Sequence, residues 1–467
     1  GLNMVLSLTF PLITLPYVSR ILGVENIGKY NFSNNFVSYF ILIAALGVNT
    51  YGIRECAKVR EDRDKVGDFV SQIFSINMIT TFVSYLLLFT VLFGFESFSS
   101  YRSCILIFST TLFFTTIGVE WVYKAYEQFT YITVRNAVFK LIALGLLFIF
   151  VRNQDDYLKY AAVTVFATGG SYVLNFLHSR KFCKIGLVRH IDWSAHMRPL
   201  IILSASAIAV HIYNSFDTLM LGMMTNDYYV GLYTTSSKIY LMAKSILLAL
   251  LSVAVPRLSI MVSDKKQFGV LVDKIVDAMN FFALPLVIGI FFISDEIVYI
   301  LAGQDYLGAS LSLKILSVAI ICSMYAWISS ECVLIPAGKE KESFISTGIA
   351  ACINIGLNFI LIPLWNTNAA AITTVIAEGF VMIFCILKAK GITSVRFLNR
   401  ETGKVLIGCI GIRVVCTLSK CFISNLFIRI GLSIIGSGLV YVVIEIILKN
   451  KMASIMKEKF FGMLRRG

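Results

Sequence analysis

Five ionisable residues sit near the middle of long apolar stretches: Lys140, His211, Lys244, Glu378 and Arg413. Asp217 and Glu331 lie off-centre in two others. A charge at the centre of a bilayer costs at least about 2.5 kcal/mol on insertion scales, so such residues are candidates for function. Asp217, Glu331 and Glu378 are carboxylates able to bind a coupling proton or Na⁺, whereas the lysines offer mobile positive charge. The alternative is structural: an internal ion pair that locks helices together. Arg20, Glu120 and Glu445, near the ends of apolar stretches, are expected to snorkel to the interface.

Polar residues recur at helical spacing beside these charges. Thr164, Thr168, Ser171, Asn175 and His178 follow steps of three and four, which places them on one stripe of a helix. Asn31, Asn35, Ser38 and Asn49 form a second stripe; Ser204, His211, Ser215 and Thr218 form a third; Thr347, Asn354 and Asn358 form a fourth. The stripes either face one wet cavity or hydrogen-bond between helices, at about 0.6 kcal/mol per pair.

The elements that carry them are membrane spans. The chain has 467 residues, 57% hydrophobic and 15% charged, with mean hydropathy +0.80. A soluble domain averages roughly 45–50% apolar and about 25% charged. A window of about 20 apolar residues per ~30 Å of hydrocarbon gives fourteen spans: 1–22, 30–52, 69–94, 101–121, 131–151, 157–178, 199–224, 232–256, 278–302, 312–336, 343–364, 367–387, 404–424 and 427–448. The expected fold is an all-α polytopic membrane protein of about 14 transmembrane helices.

Lys and Arg alternate between rich and poor loops. The loop after the second span carries Arg54, Lys58, Arg60, Arg63 and Lys65, and loops on that side hold most of the chain's 41 basic residues. The positive-inside rule then puts both termini in the cytoplasm. A net charge of +14 spread over short loops suits anionic phospholipids, not nucleic acid.

The loops also divide the chain. Residues 1–180 form an N-terminal lobe, 181–198 a basic cytoplasmic linker, 199–390 a C-terminal lobe, 391–448 an accessory helix pair and 449–467 a basic, amphipathic tail. Gly28 to Arg54 and Gly231 to Arg257 are both 26 positions apart, a faint repeat. Two six-span lobes entering from one side require a pseudo-twofold axis along the membrane normal, an arrangement common in alternating-access transporters.

Ten cysteines show no CxxC or Cys/His metal spacing, so disulfides and zinc are not expected. There is no nucleotide loop, HExxH or GxSxG; no cofactor and no enzyme chemistry is expected, and energy would come from a gradient. The first span carries Pro11 and Pro16 and runs into a second, unlike a cleaved signal. Because the chain opens on Gly1, upstream residues are expected to be missing.

The stretch Phe10 to Gly23, then Gly28-Lys29-Tyr30-Asn31-Phe32, Leu46-Gly47 and Tyr51-Gly52-Ile53-Arg54-Glu55, resembles the start of Wzx-type O-antigen and polysaccharide-repeat flippases. These belong to the multidrug/oligosaccharidyl-lipid/polysaccharide (MOP) exporter superfamily. Ile335 to Lys341, then Asn354, Asn358, Ile362-Pro363, Ala369-Ala370-Ala371 and Glu378, make a second match. Asn366-Thr367-Asn368 stands where such proteins often keep Gly-x-x-Gly, which puts the turn geometry there in doubt.

The resemblance implies an undecaprenyl-diphosphate-linked oligosaccharide moved from the cytoplasmic to the periplasmic leaflet of a bacterial inner membrane, with other polysaccharide-assembly proteins as partners. Lys140, Lys244 and His211 would form a cationic centre for the diphosphate or for acidic sugars. Asn175, Asn354 and Asn358 would meet sugar hydroxyls, and Arg54 and Arg257 either receive the headgroup at the cytoplasmic mouth or act as ordinary topology anchors, the reading the residues favour. The last two spans guide the lipid tail or pad the second lobe. A drug antiporter of the same fold, or a membrane polymerase or ligase of the same pathway, are the rival readings.

Overall fold

A computed structural model describes residues 2–251, 255–261, 264–393 and 395–464. Arg465 and Arg466 of the basic tail lie outside the described residues. The chain forms two compact units, residues 1–231 and 232–467.

In the first unit, α1 (Leu2–Ala45) holds two spans joined by a sharp bend. Gly23 makes the bend at φ 73°, in the region only glycine enters without strain, so the expected connecting loop is a kink. α2 (Val48–Val59) and α3 (Arg63–Gly94) follow, then α4 (Arg102–Gly118), α5 (Glu120–Ala125) and α6 (Phe129–Phe150). α7 (Tyr157–Val165) and α8 (Ser171–Ser179) are one span joined by a π-turn at Phe166–Gly170. α9 (Trp193–Met224) is the seventh span.

The second unit takes most of α10 (Asp227–Leu251) and then α11 (Val255–Met261), α12 (Lys265–Leu301) and α13 (Ser310–Trp327). α14 (Glu340–Ala389) is again two spans, broken at Asn366 with φ 48° and ψ −123°. Those angles are near the first central position of a type II′ turn, ordinarily a glycine site. Asn366 makes the turn that the departure from Gly-x-x-Gly put in doubt. α15 (Arg400–Phe422), α16 (Leu426–Gly431) and α17 (Ser437–Ile447) give the last two spans, and α18 (Lys451–Leu464) is the tail helix. With the two bent helices each counted twice, the fourteen spans are all present.

Each unit has its own core. In the first, Tyr51, Val66, Val70, Ile73, Trp121, Cys183 and Leu200 pack together. In the second, Phe281, Leu284, Val405, Cys409, Ile412 and Tyr441 do. Large apolar side chains such as Phe82, Leu141, Ile360 and Leu439 point outward, as spans facing lipid require. Seven of the cysteines are buried, Cys322 is half-buried, and Cys352 and Cys421 are exposed.

Two glycines set a close crossing in the first unit. A Cβ on Gly28 would lie 1.9 Å from the Asp227 carbonyl oxygen, and one on Gly231 would lie 2.2 Å from that of Val24. The two glycines of the sequence repeat therefore seat reciprocally, each against the segment that precedes the other.

Candidate functional site

In the second unit, α10 and the second half of α14 carry an ionised cluster. Lys244 Nζ lies 3.1 Å from Glu378 Oε1 and 3.4 Å from the Tyr240 hydroxyl, which itself donates to Glu378 at 3.3 Å. Tyr240 and Lys244 are one turn apart on α10, so both reach the same carboxylate. The Lys244 side chain is 20% exposed and that of Glu378 8%. Lys238, half-buried on the same helix less than two turns earlier, is a further basic residue that sequence reasoning passed over.

Asn354 and Asn358 face the other half of α14. Asn358 donates to Asn354 Oδ1 at 3.1 Å and accepts from Thr373 at 2.6 Å, while Asn354 Nδ2 lies 3.4 Å from Thr373 Oγ1. Both asparagines are buried. Here the polar stripe is an interhelical hydrogen-bond ladder. Glu331 is half-buried on a π-turn, Ile328–Leu334, that continues α13, and Arg257 is exposed on α11.

In the first unit the stripes of the second and seventh spans meet. His211 Nε2 lies 2.7 Å from Ser38 Oγ, and its ring packs edge-on against Tyr39 at 4.8 Å. Asn35 donates to the Ser215 carbonyl at 3.1 Å. Asp217 is buried lower on the same helix. Lys140 is half-buried midway along α6. Asn175 is fully buried, with neither side-chain polar atom hydrogen-bonded. Arg54 is exposed and paired with Glu55 at 2.8 Å.

Two expectations about interfacial residues are corrected. Glu445 is fully buried on α17, and Glu120 turns inward to an ion triad. Glu120 Oε1 takes Lys124 at 2.9 Å and Oε2 takes Arg135 at 2.9 Å. The Arg135 side chain is 3% exposed. Arg135 falls so near the start of an apolar window that hydropathy makes it an interfacial anchor; the bend at Val119 brings the end of the fourth span against it. A second cluster was also missed. In the second unit, Asp295 pairs with Lys314 at 3.1 Å, and Glu296 with Lys420 at 3.1 Å and Arg429 at 3.4 Å. The signal was available in the paired acids Asp295-Glu296 at the end of a span.

Apolar helices long enough to cross a membrane, carrying charged side chains buried between them, define a polytopic α-helical membrane protein. The fold is similar to that of the lipid II flippase MurJ in its inward closed conformation, at TM-score 0.77 and 15% identity over 96% of this chain and 97% of that one. An inward-facing multidrug resistance MATE family transporter of the MOP superfamily matches at TM-score 0.63 and 13% identity, over 82% and 93%. The chain belongs to the family described as polysaccharide biosynthesis proteins, whose pattern covers residues 2–262. Among its relatives, a candidate O-antigen transporter of Escherichia coli is 22% identical over 383 residues, covering 79% of this chain and 90% of that protein.

Proposed function

We propose that this chain is a flippase for an undecaprenyl-diphosphate-linked oligosaccharide, a transporter and not an enzyme, in a bacterial inner membrane. The observation that carries the reading is the buried Lys244–Glu378–Tyr240 cluster. A lysine held this deep by one carboxylate can exchange that partner for a phosphate oxygen, since both are anionic acceptors of charge-assisted hydrogen bonds. Binding of a coupling ion by Glu378 would free Lys244 for the diphosphate; its release would let the pair re-form. Asp217 and Glu331 are the further carboxylates for coupling to H⁺ or Na⁺.

Lys140 and His211 supply the corresponding positive and polar groups of the first unit, and alternating access would expose them to each leaflet in turn. Arg54 and Arg257, both exposed, suit first capture of the headgroup at the cytoplasmic face. Asn175, with unused donors and acceptor, suits a sugar hydroxyl better than Asn354 and Asn358, which already satisfy each other.

An apolar groove of about 700 Å³ supports a lipid cargo. It is bounded by α12, α17 and α18, with Phe281, Phe282, Tyr441 and Val442 in its wall and Lys457 at its edge. A prenyl chain fits such a surface. Anionic phospholipids and other polysaccharide-assembly proteins are the remaining expected partners, and both termini are cytoplasmic in this reading.

Complementation of a flippase-deficient strain tests it. Lys140→Ala and Lys244→Ala each abolish O-antigen display at normal protein levels; undiminished display rejects their role. In proteoliposomes, uptake of small organic cations without movement of lipid-linked sugar would establish the drug antiporter instead.

A further inference from the structure

The first unit contains a polar cavity away from the groups assigned above. It measures about 180 Å³, and its lining includes Asn49, Asn77, Glu120, Trp121, Lys124 and Tyr172. Asn49 is exposed and the Lys124 side chain is 38% exposed, so these two mark its mouth. Trp121, at 3% exposure, and Asn77, at 6%, lie deep.

The walls are set in place by close packing. Trp121 rests on Gly52, where an added Cβ would lie 2.6 Å from the ring, and Tyr172 rests on Gly118, where it would lie 2.4 Å away. Neither ring can sit so low over any other residue type. The Arg135 guanidinium stacks 5.8 Å from the Tyr172 ring centre, and its Nη1 has no hydrogen-bond partner.

The backbone is strained at the same place. Val119, between α4 and α5, has φ 36° and ψ 37°. A β-branched residue in the left-handed region is an outlier, and such strain persists where the surroundings fix it, often at sites of function. Its effect is to aim Glu120 and Lys124 at the cavity.

The charges select the ligand class. One carboxylate sits between two cations, Lys124 and Arg135, so neither a free phosphate nor a metal cation finds an unopposed partner. What the lining offers is the paired Glu120 carboxylate and Lys124 ammonium, the Asn49 amide and the Asn77 side-chain oxygen beside two rigid rings; the Asn77 amide N–H already donates to the Ala44 carbonyl, and the Thr115 and Thr116 hydroxyls donate to carbonyls of their own helix. A few placed hydrogen-bonding groups on an apolar, aromatic wall match the alternating hydroxyls and C–H face of a pyranose.

We propose that this cavity is a subsite for one pyranose ring of the carried oligosaccharide, and that it reads one sugar of the repeat unit. The inference rests on the flippase reading above and names a specificity element within it. Hydrogen bonds at Asn49, Lys124 and the Asn77 oxygen that only a matching pattern of hydroxyls can make would supply the discrimination.

The test is saturation-transfer NMR on the purified full chain in detergent, against methyl pyranosides of hexose, hexosamine, 6-deoxyhexose and hexuronate type. The unsubstituted protein should transfer saturation to at least one class, and Asn49→Ala and Lys124→Ala should each weaken binding at least tenfold while eluting as monodisperse protein. No transfer to any pyranoside, or binding in both variants as strong as in the unsubstituted protein, overturns the subsite. The assay involves no lipid carrier and no translocation, so these outcomes hold whatever Lys244→Ala does to O-antigen display. Sugar binding with display unaffected by Lys244→Ala would overturn the role of the cationic cluster alone.

Discussion

Removing one member of a buried ion pair strands the other, at a cost of about 3–5 kcal/mol, so Lys244→Ala by itself confuses folding with transport. The double variant Lys244→Met/Glu378→Leu separates them. It is expected to restore protein level and thermal midpoint while O-antigen display stays lost; recovery of display would reduce the pair to a helix clamp. At this scale the sequence was half legible. A mid-span lysine and glutamate stand out because burial of charge is costly, but helical periodicity does not say which spans abut, so the bond between Lys244 and Glu378 emerged only in three dimensions. Arg135 was hidden for a different reason. Hydropathy windows discount charges at their edges, and at the helix break that buries it the left-handed residue is β-branched Val119 and not the glycine before it, Gly118.

Among the elements, the bends were the least visible features and the caps the most ordinary. Gly28 and Gly231 are two of the positions where a methyl group has nowhere to go, and there the atom it would meet is backbone. Gly231→Ala is expected to lower the thermal midpoint, whereas Gly348→Ala, where an added Cβ meets nothing within 4 Å, should hold or raise it by the helix preference of alanine, about 1 kcal/mol. Asp62 and Asp192 cap α3 and α9, accepting from the backbone amides of Lys65 and Ala195. A side-chain bond from Lys65 holds the Asp62 carboxyl below the usual carboxylate range, and one from Ser194 does the same for Asp192. Both contributions are present above that range and are lost as pH falls through the depressed values. Thermal melts below about pH 4 should therefore fall more steeply for the native protein than for Asp62→Asn/Asp192→Asn, whose amides still cap but do not titrate.

For the molecule as a whole, fourteen spans were readable because lipid permits few ways to satisfy a backbone, and a length of apolar helix is nearly a statement of depth. Less readable was how the last two spans attach. Glu296, 4% exposed, draws in Lys420 of α15 and Arg429 of α16, and Tyr441 of α17 donates to the Phe281 carbonyl of α12 at 2.7 Å. Glu296→Ala should cost about 3 kcal/mol and make α15 to α17 the first segment released in hydrogen exchange. The ten cysteines make a final point. The two exposed ones, Cys352 and Cys421, belong to the same compact unit, so spin labels placed on the native chain would report a distance within it. Their separation should hold steady through the whole turnover, and a probe pair that shifts while this one does not would be reporting motion of the machine and not of its parts.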